Sequence, residues 1–219
     1  MPEAAASAAL AEQFDDPVQQ YQAASLGMWA FLVTEVMFFG GMFTGYAYYR
    51  AAYSAVFGAA SNHLDVLLGT VNTAVLLTSS LTMALAVWSA QMGRKRALTI
   101  FLILTMILGL CFLSIKFTEY AQKYAEGLIP GHGFLYDGPE PHKAQLFFSF
   151  YFAMTGTHAI HMVIGEALLA VLLIQTRWNH FSAAYYTPVD IVGLYWHFVD
   201  IIWIFLFPLL YLVSRHTAG

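Results

Sequence analysis

Five long stretches of this 219-residue chain carry almost no ionised side chain, at about 26–49, 65–91, 97–118, 144–174 and 190–213. About 20 apolar residues cross the hydrocarbon core of a bilayer as one helix, so each run is long enough to span. Lipid offers no partner to backbone N–H and C=O groups, which leaves helices and closed barrels as the only spanning structures. None of the runs alternates strictly between apolar and polar residues, so the expectation is an all-α membrane protein, a five-transmembrane-helix bundle. Composition agrees: 59% of residues are hydrophobic and 10% charged, against roughly 45–50% and about 25% in a soluble domain. The bundle is expected over 26–214, with residues 1–25 as a polar, solvated N-terminal tail.

Several chemistries are excluded on the same ground. A formal charge of −4 with nine Lys and Arg gives no basic footprint for nucleic acid. The single Cys111 forms no internal disulfide, and CxxCH, paired CxxC and GxxxxGK[ST] motifs are all absent, which removes covalent haem, zinc and phosphate-loop readings. The first 25 residues hold Glu3, Glu12, Asp15 and Asp16 and no Lys or Arg, unlike a signal peptide. Arg94, Lys95 and Arg96 cluster in a very short connection, which places that loop, and with it the N-terminus, in the cytoplasm. Residues 50–64 and 119–143 form the long loops. Lys116, Glu119, Lys123 and Glu126 at helical spacing suggest a charged stub running past the lipid. Gly40, Gly41 and Gly45 suggest close helix packing, and Pro208 a kink or a final turn.

Polar residues inside the spans carry the functional question. Glu35, His158, His161, His197 and Asp200 lie where an ionised group costs roughly 2.5–3.5 kcal/mol. Counting at about 1.5 Å per residue puts Glu35, His161 and Asp200 at a similar depth, so the three can meet. His158 and His161 are three apart, as are His197 and Asp200, and such pairs share a helix face. Three explanations compete: a hydrogen-bonded cluster that locks the helices, a metal or haem site using the histidines, and a proton path in which Glu35 and Asp200 titrate. Asn72, Thr73, Thr78, Ser79, Ser80 and Thr82 read as interhelical hydrogen-bonding groups. Glu166 reads as a partner for a cation on another chain or as part of a water-lined groove. His63, His132, His142, His180 and His216 fall in loops or tails and read as solvated.

Several of these segments resemble one family. Thr157-His158-Ala159-Ile160-His161-Met162-Val163-Ile164-Gly165 resembles the histidine-rich helix of subunit III of the haem–copper cytochrome c oxidases. Gly193-Leu194-Tyr195-Trp196-His197-Phe198-Val199-Asp200-Ile201-Ile202-Trp203 is similar to that family's terminal-helix motif and is the most specific segment. Leu26 to Trp29 leading into Thr34-Glu35-Val36-Met37-Phe38-Phe39 resembles the helix bearing the family's buried glutamate. Asn72 to Leu77 and Lys116 to Tyr120 also match, so the likeness runs from about residue 20 to 213.

The resemblance implies an accessory subunit with no cofactor or metal of its own and no catalytic residue, packed beside the catalytic subunit I that holds haems and copper. It implies phospholipid binding and support of proton uptake in an oxidase that reduces oxygen to water and pumps protons. The buried glutamate carries over to Glu35, the paired histidines to His158 and His161, and the last motif to Trp196, His197 and Asp200. Many members have seven helices and this chain has five, a bacterial form that points to the inner membrane and to a possible larger respiratory supercomplex. The alternatives are a subunit III-like partner of a nitric oxide reductase or quinol oxidase, a b-type haem subunit using the histidines, and an independent proton-coupled transporter.

Overall fold

A computed structural model describes residues 11–131, 133–138, 140–178, 181 and 185–213. His132, His180, Arg215, His216 and the first ten residues of the expected tail lie outside the described residues. Among the described residues there are six helices and no strand: α1 (Pro17–Ala52), α2 (Ser54–Ser61), α3 (Val66–Gln91), α4 (Lys95–Ala125), α5 (Pro141–Arg177) and α6 (Thr187–Tyr211). All but α2 are long and apolar enough to cross a membrane.

The helix ends follow local chemistry. α1 begins at Pro17 rather than at about 26, because the Asp16 side chain accepts a hydrogen bond from the Gln19 N–H at 2.8 Å and Pro17 takes the first helical position. A proline there sacrifices no hydrogen bond and arrives with helical φ. Its first two turns are therefore a polar extension of the span. Asp65 caps α3 through Leu67 N–H at 2.8 Å and Leu68 N–H at 3.1 Å. Gly93 at φ 66° reverses the chain between α3 and α4, a left-handed conformation that glycine adopts without a Cβ clash. The expected loop at 50–64 holds α2, whose Phe57 is fully buried against Tyr46 and Phe147 at centroid distances of 5.6 and 5.5 Å. Pro208 sits inside α6, three residues before its last residue Tyr211.

α3, α4, α5 and α6 form a ring in which each helix packs on its two chain-order or closing neighbours, while α1 lies outside against α5, α6 and α2. α6 is the most deeply enclosed span, with 56% of its most apolar window buried, against 11% for α1. The interior is aromatic: Trp196, Trp203, Tyr151, Tyr211 and Phe112 are fully buried. Small residues let these rings in. A Cβ on Gly165 would stand 2.8 Å from the Trp196 ring, and one on Gly193 would stand 2.8 Å from Val87. Gly40 and Gly41, by contrast, have open space where a Cβ would be. The close-packing expectation for them fails because Gly41 is exposed and Gly40 lines a gap between α1 and α6.

Candidate functional site

Glu35 on α1 and His161 on α5 meet where α1 leans on the ring. His161 Nε2 lies 3.2 Å from Glu35 Oε2, and both side chains are half-enclosed, at 13% and 19% exposure. His161 Nδ1 is 2.9 Å from the Thr157 carbonyl oxygen. A carbonyl has no proton to give, so Nδ1 carries a hydrogen and donates it. The contact between Nε2 and Glu35 then needs one further proton, on the imidazole or on the carboxyl. The pair therefore holds a proton in either form, as an ion pair or as a neutral acid–base pair. Tyr195 donates to the His161 carbonyl at 2.9 Å and stacks on its ring, and Phe39 meets the ring edge-on at 5.4 Å. These contacts fix the imidazole's orientation.

The other residues singled out in the sequence sit apart from this pair. His197 on α6 bonds through Nδ1 to Ser80 of α3 at 2.8 Å. Asp200, one turn further along α6, is 3% exposed, with Ser80 close enough to interact and no well-formed hydrogen bond to either carboxyl oxygen among the described residues. His158 faces the ring interior at 1% exposure, between Phe112 at 5.5 Å and Trp203 at 5.3 Å. Three residues along a helix are about 60° short of a full turn. That offset is enough to send His161 to α1 and His158 to α4 and α6. Among the described residues no group of three or more His, Cys, Asp or Glu converges as a metal site would require.

The two motif residues with a packing role are both fully buried. Trp196 Nε1 donates to Ser79 Oγ at 3.1 Å, and its ring lies against Gly109 and Gly165. The Asn72 amide, like the His158 ring and the carboxyls of Asp200 and Glu166, finds no hydrogen-bond partner among the described residues. Glu166 is 9% exposed and points its carboxyl at Gly109 of α4. The polar face of α3 does hydrogen-bond between helices: Thr73 accepts from Trp203 Nε1 at 3.0 Å, and Thr82 pairs with Thr105 of α4 at 2.8 Å. Beside the Glu35–His161 pair, α1 and α6 part to leave an apolar groove of about 440 Å³ walled by Trp29, Val36, Gly40, His197, Ile201 and Phe205 among others.

A second polar cluster lies inside the bundle. Lys116, Glu119 and Lys123, expected on a solvated stub, are 3%, 1% and 5% exposed. Lys116 Nζ donates to Glu119 Oε2 at 2.8 Å and to the Tyr211 hydroxyl at 2.7 Å, while that hydroxyl donates to Glu119 Oε1 at 2.6 Å. Tyr120, Tyr151, Trp203 and Tyr211 surround the ammonium with ring centroids 5.1–5.6 Å away, a range in which a cation is attracted to the ring face. Tyr120 also hydrogen-bonds Thr155 of α5 at 2.5 Å. The triangle of charge-assisted bonds ties α4 to α6, and the Tyr120–Thr155 bond ties α4 to α5. The signal was in the sequence: a Lys and a Glu three apart with tyrosines on two later spans.

Comparison with known proteins places this arrangement. The family model described as cytochrome c oxidase subunit III matches residues 6–215. The chain is 30% identical over 191 residues to cytochrome c oxidase subunit 3 of Thermostichus vulcanus, covering 87% of each chain. It is 31% identical over 190 residues to the protein of that name from Alkalihalophilus pseudofirmus, covering 86% of each. It is also 27% identical over 205 residues to the probable quinol oxidase subunit 3 of Staphylococcus haemolyticus, covering 94% of this chain and 96% of the relative. With a match that leaves out only the first five residues and the last four, and five apolar helices on which the motif residues stand at the contacts described, this chain belongs to the cytochrome c oxidase subunit III family.

Proposed function

We propose that this chain is the accessory subunit III of a proton-pumping haem–copper terminal oxidase, holding no redox centre itself and packing beside the catalytic subunit that carries haems and copper. It stabilises that subunit during turnover and supports its proton uptake. The observation that carries this reading is the Glu35–His161 pair: a carboxyl and an imidazole on neighbouring helices at 3.2 Å, half-enclosed and holding a proton in either form. Ionisable side chains inside spans mark proton relays and ion paths. The separate engagement of His161 with Glu35, His197 with Ser80, and His158 between two aromatic rings supports a cofactor-free bundle. Relatives named as subunits of cytochrome c and quinol oxidases support either electron donor. The chain resides in the bacterial inner membrane with its N-terminus cytoplasmic, and binds phospholipid.

The test is to follow oxygen consumption by membranes from cells with and without this chain. An oxidase assembled without it keeps its haem spectrum and starts at a comparable rate, then loses activity during continuous turnover. Equal persistence in the two preparations would contradict the proposal.

A further inference from the structure

Glu166 is a carboxyl inside a membrane span with no counter-charge. It is 9% exposed, and neither carboxyl oxygen finds a hydrogen-bond partner among the described residues. The side chain lies folded against Gly109 of α4, which has no Cβ to exclude it. Ionisable residues within spans are costly and characteristically pair with one another. Glu166 also stands near the lipid-facing edge of the α4–α5 seam: Ala167 is exposed and Ala170, one turn on, is half-buried. Both neighbours are small, so rotation about its own side-chain bonds carries the carboxyl out into the seam. Two turns further along, α4 and α5 leave a groove of about 380 Å³ whose walls include Ile103, Leu173 and Ile174, with Arg177 at its mouth. Arg177 is exposed and makes no hydrogen bond or ion pair among the described residues. It follows Glu166 by eleven residues, three helical turns and about 20° more. The two unpaired charges therefore share one stripe of α5, about 16 Å apart along its axis, with apolar groove between them.

We infer that the α4–α5 seam is the docking surface for one transmembrane helix of another subunit. That helix carries a lysine or arginine opposite Glu166 and an acidic residue near Arg177, about eleven positions apart, with apolar side chains between them that fill the groove. The charges select this occupant. A second copy of the chain, related by a twofold axis normal to the membrane, would set Glu166 against Glu166 and Arg177 against Arg177, and opposed like charges disfavour that pairing. A lipid head group reaches Arg177 but brings no cation to the depth of Glu166. The site is separate from the groove beside Glu35, which lies between α1 and α6. It rests on the reading of this chain as a subunit of a larger membrane complex and adds the surface where one partner sits.

Photo-cross-linking in the intact complex tests it, with p-benzoylphenylalanine in place of Ile174, an exposed residue of the groove wall, and in place of Met37 of α1, an exposed residue outside the seam. Mass spectrometry of the Ile174 product is expected to show a transmembrane segment of another subunit that holds a lysine or arginine and, about eleven residues away, an aspartate or glutamate. The Met37 product is expected to lack that segment. E166Q leaves the partner's cation unpaired and raises the concentration of detached partner needed for reassembly about 30-fold; R177E, at the exposed rim, raises it about threefold. E166K abolishes reassembly, and replacing the partner's basic residue by glutamate restores it, a rescue that packing alone does not give. Circular dichroism verifies the helix content of each variant, and R177E, altering an exposed side chain, keeps the test open if E166K misfolds. A cross-link only to phospholipid, to a second copy of this chain or to a helix without a basic residue would overturn the inference, as would unchanged reassembly in both E166Q and R177E. A chain that purifies with no partner would overturn the subunit reading along with it, whereas a retained partner cross-linked elsewhere would overturn the docking surface alone.

Discussion

Breaking the Lys116–Glu119 pair should destabilise the bundle far more than loss of an ordinary surface pair. Both side chains are nearly inaccessible, at 3% and 1% exposure, and the Tyr211 hydroxyl closes the triangle by accepting from Lys116 and donating to Glu119. Glu119→Gln leaves an ammonium buried among four aromatic rings with only neutral oxygens to donate to. Lys116→Met leaves a carboxylate with the Tyr211 hydroxyl as its remaining donor. Removing one partner of a buried pair costs about 3–5 kcal/mol, whereas exposed pairs are worth about 0.2–1 kcal/mol. At roughly 2–4 °C per kcal/mol for a chain of this size, each single variant loses about 6–20 °C in Tm. Lys116→Met combined with Glu119→Gln removes both charges and keeps a donor and acceptor near Tyr211, so it costs less than the sum of the two singles, with a coupling of about 2–3 kcal/mol. The assay is thermal unfolding in mild detergent for the two singles and the double, with unfolding by a denaturing detergent as a second probe. Single-variant losses below about 1 kcal/mol with additive behaviour in the double would mean that the charges are solvated, and the argument from burial would be wrong.

Other consequences follow from contacts of the same kind. Gly165→Ala brings a Cβ to 2.8 Å from the Trp196 ring, an overpacking that costs about 1–3 kcal/mol and is read as a lower Tm, with Gly40→Ala, which meets open space, as the neutral control. Glu35→Gln can still donate an amide hydrogen to His161 Nε2, so the stability of the chain changes by less than about 1 kcal/mol while the proton held by the pair is lost; the expected readout is an oxidase that assembles, retains haem and inactivates sooner under turnover. Asp200→Asn is likewise expected to leave haem content intact while weakening assembly or sustained turnover. Loss of haem from either variant's complex, with assembly unaffected, would contradict the view that this chain carries none.

The spans were legible in the sequence because lipid imposes a length and a polarity that few other structures share. Their ends were less so: α1 starts at Asp16-Pro17 because a cap and a proline favour a helix there, although hydropathy does not rise until about residue 26. The meeting of Glu35 and His161 followed from counting depth along two helices, which sets height but not azimuth. Depth alone placed Asp200 beside them, and the rotation of α6 instead turns it toward Ser80. Lys116 and Glu119 show the converse. Charges three apart read the same on a solvated face and on an inward one, and only the tyrosines of α5 and α6 distinguish the two. Trp196 needed both Gly109 and Gly165 to enter the ring, a complementarity between distant helices that local spacing does not contain.

The central claim is that this chain works as a subunit of a haem–copper oxidase without holding a redox centre. Its most direct test is affinity purification through this chain in mild detergent, with the co-purifying subunits and the reduced-minus-oxidised spectrum read from one eluate. Large partner subunits with oxidase haem bands are expected, and a colourless chain once those partners are stripped away. The chain alone with a haem b band would make its histidines ligands and contradict the account, and a colourless chain with no partner, from membranes whose oxidase is intact, would contradict it too.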